Sequence, residues 1–279
     1  MRILFLSNFF PPARPGGYTQ WCHEVAERLA GHGHTIGVLT SRYELAKTPA
    51  NEKNIYRLLH LEGDLTYYQP FQFFTKWKKQ HRENLVFLEQ TVKDFAPDLI
   101  FVWGMWALSK ALPARAERLL PGRVVYYLSD YWPSAVDMHR TYWQSPARHW
   151  LTQVTKRVLS KVALFMLAKE GQPELRLERV ICVSARVRDL LVGAGLPVQH
   201  ARIIHGGTDT ERFLGIRKQD NVSGSLKLLY AGQLVHHKGV HTAIEAMARL
   251  VNKHKLTQIT LTLVGSGHPG YEAFLRDLV

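Results

Sequence analysis

The chain has 279 residues, of which 46% are hydrophobic and 21% are charged, and this composition excludes a disordered chain. It is long enough for one large or two ordinary domains with a sizeable core. The formal net charge of +13 predicts an anionic partner, and a phosphorylated small molecule, nucleic acid and an anionic membrane surface all satisfy it.

The chain opens with MRILFLSNFF, in which Arg2 precedes a short apolar run. A first buried strand explains this run better than a secretory signal peptide, because no small-residue cleavage site follows and PPARPGG comes next. No uninterrupted apolar run reaches the ~18 residues that a membrane-spanning helix needs. Cys22 and Cys182, the only cysteines, stand in no motif and favour free buried thiols in a reducing compartment. We therefore expect a soluble or peripheral cytoplasmic protein.

Apolar runs of strand length alternate with helical patterns from the N-terminus to about residue 217. The predicted strands are RILFLSN, TIGVLTS, PDLIFVWG, RVVYYLSD, ERVICVS and ARIIHGG. Helices are predicted from Tyr18 to Leu29, around residues 73 to 94, over about residues 147 to 168, and at ARVRDLLVGAG. The strands are continuous rather than alternating apolar runs, which predicts a parallel sheet covered on both faces by crossover helices.

A polar segment, RKQDNVSGS at residues 217 to 225, divides the chain and predicts a linker. The predicted domains are therefore 1–217 and 225–279. After the linker the strand–helix alternation restarts, with the elements LKLLYAG, GVHTAIEAMARLVNKH, QITLTLVGSG and GYEAFLRDLV. A unit of about 55 residues rarely has a sufficient core of its own, so we expect the second domain to be incomplete.

The first candidate anion site follows the first strand. Arg14, Gly16 and Gly17 lie immediately before a helix, where glycine lets the backbone approach a ligand and the helix N-terminus offers unpaired amides. The fingerprint G-x-G-x-x-G is absent, which disfavours ordinary dinucleotide binding. The alternative is a glycine-containing turn without a ligand.

Two further glycine loops follow the strands of the second domain. In AGQLVHHKGV, Lys238 lies beside the N-terminus of the next helix, and an ammonium group with a helix dipole suits phosphate. The loop VGSGH, residues 264 to 268, reaches the same sheet edge, where ligands of open α/β sheets bind. A strand–helix loop with a solvated lysine is the alternative. The glycines of these loops are Gly232, Gly239, Gly265 and Gly267.

The order of the motifs resembles the family-4 glycosyltransferases. The motifs are FFPPARPGG, HEVAERLAGHGHTIGVLTS, VICVSARVRDLL, IIHGGTDTERF, LLYAGQLVHHKGVHTAIEAMARL and LTLVGSG. The resemblance implies an α/β fold of GT-B type, with two Rossmann-like domains whose sheets are parallel, the first on the acceptor side and the second binding the nucleotide sugar. It implies transfer of a sugar from a nucleotide-diphosphate sugar to an acceptor hydroxyl, with retention and without a metal or cofactor. A polysaccharide, lipid-linked or cell-envelope glycan precursor is the acceptor that we expect.

The resemblance also assigns residues. Lys238 matches the lysine that binds the donor phosphate, where positive charge stabilises the leaving diphosphate. Gln233 stands where the family often has arginine, and it brings a hydrogen-bond donor without a charge. Gly16 and Gly17 match the loop that approaches the donor phosphate or the acceptor. The candidate donor and phosphate residues are Gly16, Gly17, Gly232, Gln233, Lys238, Gly239, Gly265 and Gly267.

The chain departs from the family pattern in the first domain. Ser129 and Asp130 stand where the family commonly has a His-Asp pair, and Asp130 keeps a carboxylate that binds a hydroxyl. We expect Asp130 and Lys238 to be the catalytic residues; for Asp130 the alternative is a turn or helix-cap residue. His205 stands where the family usually has asparagine, and it lines the cleft or caps its strand. The acceptor-side candidates are Arg14, Ser129 and His205.

Two stretches mix basic and apolar residues, namely FQFFTKWKKQHREN from residue 71 and ARHWLTQVTKRVLSKVALFML from residue 147. Such mixtures suit an interface with anionic lipid. A core-facing helix with a solvated basic side is the favoured alternative. The apolar residues on one helical face of the second stretch are Leu151, Val154, Val158, Val162 and Phe165.

Other functions are less well supported. The histidines and cysteines lack zinc spacing, so no metal site is predicted. No helix-turn-helix, zinc-finger or RNP-type pattern is present, so nucleic acid is not an expected partner. The donor motif with two glutamates that the family carries falls beyond Val279. We therefore also expect a fragment or a half that needs a partner chain, and a non-catalytic half-chain that binds an acceptor, a membrane or a partner subunit stays the alternative.

Overall fold

A computed structural model describes residues 1–13, 16–43, 45, 52–63, 68–147, 149–171, 173–215 and 225–279. The chain forms two compact units, which we call unit 1, Met1–Gly207, and unit 2, Thr208–Val279. Of the predicted linker at residues 217 to 225, only Ser225 lies within the described residues, so the predicted boundaries stay predictions.

The described part of unit 1 contains a parallel sheet in the order β3-β2-β1-β4-β5-β6-β7. Its strands are β1 Arg2–Leu6, β2 Thr35–Ser41, β3 Ile55–Leu59, β4 Leu99–Val102, β5 Val124–Leu128, β6 Val180–Cys182 and β7 Arg202–Ile203. The order changes direction at β1, because β2 pairs on one side of it and β4 on the other. The predicted parallel α/β sheet is confirmed.

Helices cover both faces of this sheet. The described helices of unit 1 are α1 Gly17–Gly31, α2 Pro70–Gln72, α3 Lys78–Phe95, α4 Ala111–Leu119, α5 Met138–Gln144, α6 Gln153–Glu170 and α7 Ala185–Gly193. A π-helical segment, Phe73–Trp77, joins α2 to α3, and a 3-10 turn, Trp150–Thr152, precedes α6. Thr210–Phe213 forms a further 3-10 turn at the start of unit 2.

Successive residues of β1 enter two different cores. Leu4 and Leu6 pack in the core that contains Leu88 of α3, whereas Phe5 packs in the core that contains Cys22 of α1. Both faces of the strand are therefore buried, which explains its continuous apolar sequence. Cys22 and Cys182 are free and buried, as predicted.

Three elements of unit 1 were not predicted from the sequence, namely β3, α4 and α5. In β3 the buried Arg57 interrupts the apolar run, and its charge is neutralised by Glu52, whose carboxylate lies 2.6 Å from Arg57 Nε. In α4 Pro113 lies in the first turn, where a missing backbone N–H leaves no helical bond unmade. Asp137 caps α5 by accepting a hydrogen bond from the Arg140 N–H at 2.7 Å.

Unit 2 contains β8 Leu226–Ala231, the 3-10 turn His236–Lys238, α8 Val240–His254, β9 Ile259–Val264 and α9 Pro269–Asp277. The two strands pair in parallel along their whole length. Val240, Ile244 and Leu275 are buried between the helices and the sheet. Each strand and helix predicted for this part of the chain is confirmed.

The sequence favoured α6 as a helix whose apolar face packs on the core and whose basic side is solvated. This interpretation is wrong, because the predicted apolar face is exposed. The residues Leu151, Val154, Val158, Val162 and Phe165 are all exposed. The helix packs through a different face, on which Ala163 and Leu167 are buried. None of the described helices is long and apolar enough to cross a membrane.

Glu117 of α4 ties three segments together. Its buried side chain accepts hydrogen bonds from the Tyr126 hydroxyl at 2.8 Å, the Arg176 N–H at 2.9 Å and the Leu177 N–H at 3.0 Å. We expect Glu117→Ala to lower the free energy of unfolding by about 2–4 kcal/mol, because three buried donors lose their acceptor. Urea unfolding followed by circular dichroism measures the change.

The matched control is Glu89→Ala, which removes a half-exposed partner of Arg115. A surface ion pair of this kind contributes about 0–1 kcal/mol. A loss at Glu117 no larger than the loss at Glu89 would contradict the role assigned to the buried side chain.

Candidate functional site

The carboxyl ends of β1 and β4 meet where the strand order changes direction. Asn8, fully buried after β1, donates its backbone N–H to Gly104 O and its Nδ2 to Trp106 O, each at 2.8 Å. The Tyr18 hydroxyl, in the first turn of α1, donates to Asn8 Oδ1. Asn8 thus joins the start of α1 to the loop after β4. In open α/β sheets this switch point is where ligands bind.

Asp130 lies after β5 at the same edge. Its Oδ2 accepts from Trp106 Nε1 and its Oδ1 accepts from the Trp132 N–H, both at 2.8 Å. Burial raises the pKa of Asp130, and these two hydrogen bonds partly oppose that shift. The bond to Trp132 is one that a turn residue makes, whereas the bond to Trp106 connects Asp130 to the loop after β4. Burial, with a contribution from the charge of Asp130, raises the pKa of Tyr18.

Gly16 and Gly17 at the start of α1 have open space beside them. No side-chain hydrogen bond caps this helix, and a Cβ added at Gly16 or Gly17 would meet no other atom within 4 Å. The first turn therefore has room for an anion near its amides. Arg14, predicted for the acceptor side, lies outside the described residues.

The loop after β7 lies against α1. A Cβ at Gly206 would approach the Trp21 ring to 2.2 Å, so only glycine permits this contact. The neighbouring His205 is exposed, and its Nδ1 lies 2.9 Å from Val183 O. In the neutral ring this contact places the proton on Nδ1 and leaves Nε2 as an acceptor for a hydroxyl. Ser129 is partly buried beside Asp130.

In unit 2 the structure brings the two glycine loops into direct contact. The Gly232 N–H donates to Val264 O at 3.0 Å, and the Leu234 N–H donates to Ser266 O at 2.9 Å. A Cβ at Gly265 would lie 1.8 Å from Gly232 O, and one at Gly267 would lie 1.8 Å from Leu234 O. The two backbones can approach this closely only because these residues are glycines.

The first of these strand–helix loops, which follows β8, ends at the N-terminus of α8. Lys238 closes the 3-10 turn, and Gly239, with a φ of 69°, is the N-cap of α8. The N-cap residue Gly239 has no side chain, and in the first turn of α8 the His241 N–H donates to the Tyr271 hydroxyl at 3.2 Å. The side chains of Lys238 and Gln233 are exposed. An ammonium group beside the other first-turn amides of a 15-residue helix is the arrangement of a phosphate site.

Unit 1 also contains a cavity of about 590 Å3 at the carboxyl edge of its sheet. The sequence analysis missed it, because α5, which forms part of its wall, was not predicted. Trp106 and Trp132 line the cavity and also donate the two hydrogen bonds to Asp130, so they connect Asp130 to its wall. The density of aromatic residues around 103 to 143 is the signal that could have indicated it.

Burial shifts the pKa of three ionisable groups of the cavity wall toward their neutral forms. Burial, with a contribution from Asp137, raises the pKa of Glu62 to about 8. Burial lowers the pKa of His139 to about 4 and also lowers the pKa of Lys110. Lys110 Nζ donates to Pro133 O at 2.6 Å and to Ala135 O at 2.8 Å. The wall therefore suits a hydroxyl-bearing or apolar ligand better than a multiply charged one.

No group of three or more histidine, cysteine, aspartate or glutamate side chains that could hold a metal ion occurs in the part of the chain that the structure describes. The roles predicted for the glycines, Lys238 and Asp130 stay predictions.

Parallel sheets in two units, with glycine loops at their carboxyl edges, define a GT-B architecture. The chain belongs to glycosyltransferase family 4, since the sequence profile described as Glycosyltransferase Family 4 matches residues 15–212. The chain is 25% identical over 280 residues to glycogen synthase from two strains of Mycobacterium tuberculosis, CDC 1551 / Oshkosh and ATCC 25618 / H37Rv. The match covers 96% of this chain and 62% of each relative, so the chain spans less than two thirds of their length.

Two solved glycosyltransferases share the fold. The lipopolysaccharide outer core galactosyltransferase WaaB superposes with a TM-score of 0.56 at 11% identity, over 100% of this chain and 65% of its own. WaaG, a glycosyltransferase involved in lipopolysaccharide biosynthesis, superposes with a TM-score of 0.54 at 17% identity, over 99% and 67% of the two chains. At these identities the likeness shows the fold alone.

The raised pKa of Glu62 makes stability depend on pH. Between pH 4.5 and about 8 the folded chain keeps a proton on Glu62 that the unfolded chain has released, so this carboxyl lowers stability as the pH rises. We expect Glu62→Gln to be stabilising relative to the wild type at pH 8.5, and to have a smaller effect at pH 5. Urea midpoints at both values measure this.

Glu174→Gln is the control, because its side chain is exposed and lies outside the cavity wall. If the urea midpoints of the wild type and Glu62→Gln differed by the same amount at both pH values, a protonated Glu62 would be contradicted.

Proposed function

We propose that this chain forms the acceptor-side domain and the beginning of the donor domain of a glycosyltransferase, which transfers a sugar from a nucleotide-diphosphate sugar to an acceptor hydroxyl. One observation carries the proposal. The contacting glycine loops at 232–234 and 265–267 share a sheet edge with Lys238 and the N-terminus of α8. Membership of family 4 supports it.

The chemistry requires stabilisation of a leaving diphosphate. The acceptor oxygen forms a bond to the sugar C1, the bond from C1 to the phosphate oxygen breaks, and the hydroxyl proton passes to the diphosphate or to solvent. Lys238, the amides of α8 and the Gln233 side chain are proposed to hold the developing negative charge. The N–H groups of Gly232, Leu234 and Gly267 are bonded within unit 2, so the glycines serve here to let the two loops approach each other. Retention of configuration and independence of metal ions belong to the proposal through the family resemblance.

On the acceptor side we propose that Asp130 binds the reacting hydroxyl. Its hydrogen bonds to Trp106 and Trp132 orient the carboxylate, and Gly16, Gly17 and His205 contribute polar groups at the same edge. The cavity beside it, lined by Trp106 and Trp132, suits a glycan or a lipid-linked precursor. The glycogen synthases to which the chain is similar support a glycan acceptor. A cytoplasmic location, facing the precursors of the cell envelope, is part of this proposal.

The second candidate is a non-catalytic or partner-dependent half-chain. Gln233 and Ser129, which replace the family's usual arginine and histidine, favour it, because they remove a charge and a titratable ring. In this case the chain would bind an acceptor or a partner subunit without turnover.

The donor site is tested with Lys238→Ala. We expect this variant to bind UDP or GDP about ten- to hundredfold more weakly than the wild type, because one charge-assisted contact to the diphosphate is lost. Calorimetric titration of the 279-residue chain with both nucleotides and their sugar conjugates measures the affinity.

Lys253→Ala is the matched control, because it removes an exposed lysine from the last turn of the same helix. Gly265→Ala, which would drive a methyl group into Gly232 O, should weaken binding as Lys238→Ala does. Equal affinity in the wild type and Lys238→Ala would reject the donor site, and absence of binding by the folded wild-type chain would favour the second candidate.

A further inference from the structure

Helix α6 presents an apolar face to solvent. We call this face the outer stripe; it consists of Leu151 in the turn before the helix and of Val154, Val158, Val162 and Phe165. Its side chains are between 49% and 71% exposed. They recur at intervals of three or four residues, so they share one side of the helix. From Leu151 to Phe165 the stripe is about 21 Å long.

The outer stripe is not the face that anchors α6 to unit 1. The anchoring face buries Ala163 and Leu167 in a cluster with Phe73, Trp77 and Trp143. The helix therefore has two apolar faces, and its packing in the fold accounts for only one. Two aromatic residues are also exposed: Trp150, next to Leu151 in the chain, is 81% exposed, and Phe71, two residues before Phe73 of the anchoring cluster, is 80% exposed.

Positive charge accompanies the outer stripe. Arg157 and Lys161 are exposed beside it, and Lys169 Nζ lies 4.8 Å from the centroid of the Phe165 ring. The sequence has no aspartate or glutamate from residue 138 to residue 169, nor from residue 68 to residue 82, where further lysines are exposed. An apolar strip with basic neighbours and without acidic ones fits an anionic surface.

We propose that the outer stripe docks unit 1 on an anionic lipid surface. The valines, Leu151 and Phe165 enter the boundary between headgroups and acyl chains, and Arg157, Lys161 and Lys169 bind lipid phosphates. A second copy of the chain is a poorer occupant, because the basic residues around two apposed stripes would repel each other. A net charge of +13 strengthens the attraction to the lipid.

The same helix connects this surface to the cavity. Leu167 and Glu170 of α6 line the cavity, while the outer stripe faces away from the anchoring cluster. Docking would therefore hold one wall of the cavity at the membrane. Resting on the proposed function, this placement identifies the acceptor class as a sugar acceptor carried on a lipid.

Sedimentation with vesicles tests the docking. We expect the full chain to bind vesicles of phosphatidylcholine mixed with phosphatidylglycerol, to bind phosphatidylcholine alone weakly, and to dissociate as salt is raised. The triple variant Val154→Ser, Val158→Ser, Phe165→Ser should reduce binding to the anionic vesicles by about tenfold or more. Because these side chains are exposed, circular dichroism should show an unchanged fold.

Two further variants serve as a control and as a test of the basic residues. Val86→Ser is the matched control, since Val86 is an exposed valine on α3, and it should bind as the wild type does. Arg157→Gln with Lys161→Gln should weaken binding to anionic vesicles alone. Vesicle binding by the triple variant that equals wild-type binding would overturn the proposal. The proposal would also be overturned if the wild-type chain bound no vesicles but formed a dimer that the triple variant does not form. These outcomes need no nucleotide sugar, so they are independent of the donor-site test.

Discussion

Every strand pairing of the described chain is parallel, and this constraint decides where its chemistry can lie. Parallel neighbours deliver all their carboxyl ends to one edge, so the residues after β1, β4 and β5 meet although they are far apart in sequence. The crossover helices that parallel pairing requires bury both faces of the sheet in unit 1. The carboxyl edge stays open for groups that face a ligand, and Asn8, Trp106 and Asp130 are found there.

Each unit organises the carboxyl edge of its own sheet by different means. In unit 1 a side-chain amide spans the gap between strands, since Asn8 bonds to Gly104, Trp106 and Tyr18. In unit 2 two strand–helix loops are joined because glycine has no side chain. The backbones of Gly265 and Gly267 contact those of the neighbouring loop directly. The first arrangement orients a carboxylate and an aromatic wall, which suits hydroxyls. The second leaves amides and Lys238 at a helix N-terminus, which suits phosphates.

The sequence predicted most of the sheet, because buried parallel strands are continuous apolar runs. It failed at β3, where the ion pair of Arg57 with Glu52 places a charge inside the sheet. It located the glycine loops, but their mutual contact depends on the strand register and is visible only in three dimensions. It also misjudged α6, since amphipathic spacing shows that apolar residues share a face without showing what covers that face. The cavity was missed because its lining comes from many short segments.

Hydrogen–deuterium exchange of the 279-residue chain, with and without UDP or GDP, tests the central claim most directly. The claim is that the contacting glycine loops of unit 2, with Lys238, form a diphosphate site. The account predicts slower exchange in peptides covering residues 231–240 and 264–268 when the matching nucleotide is added. Binding that leaves both peptides unchanged, or a folded chain that binds neither nucleotide, would contradict it.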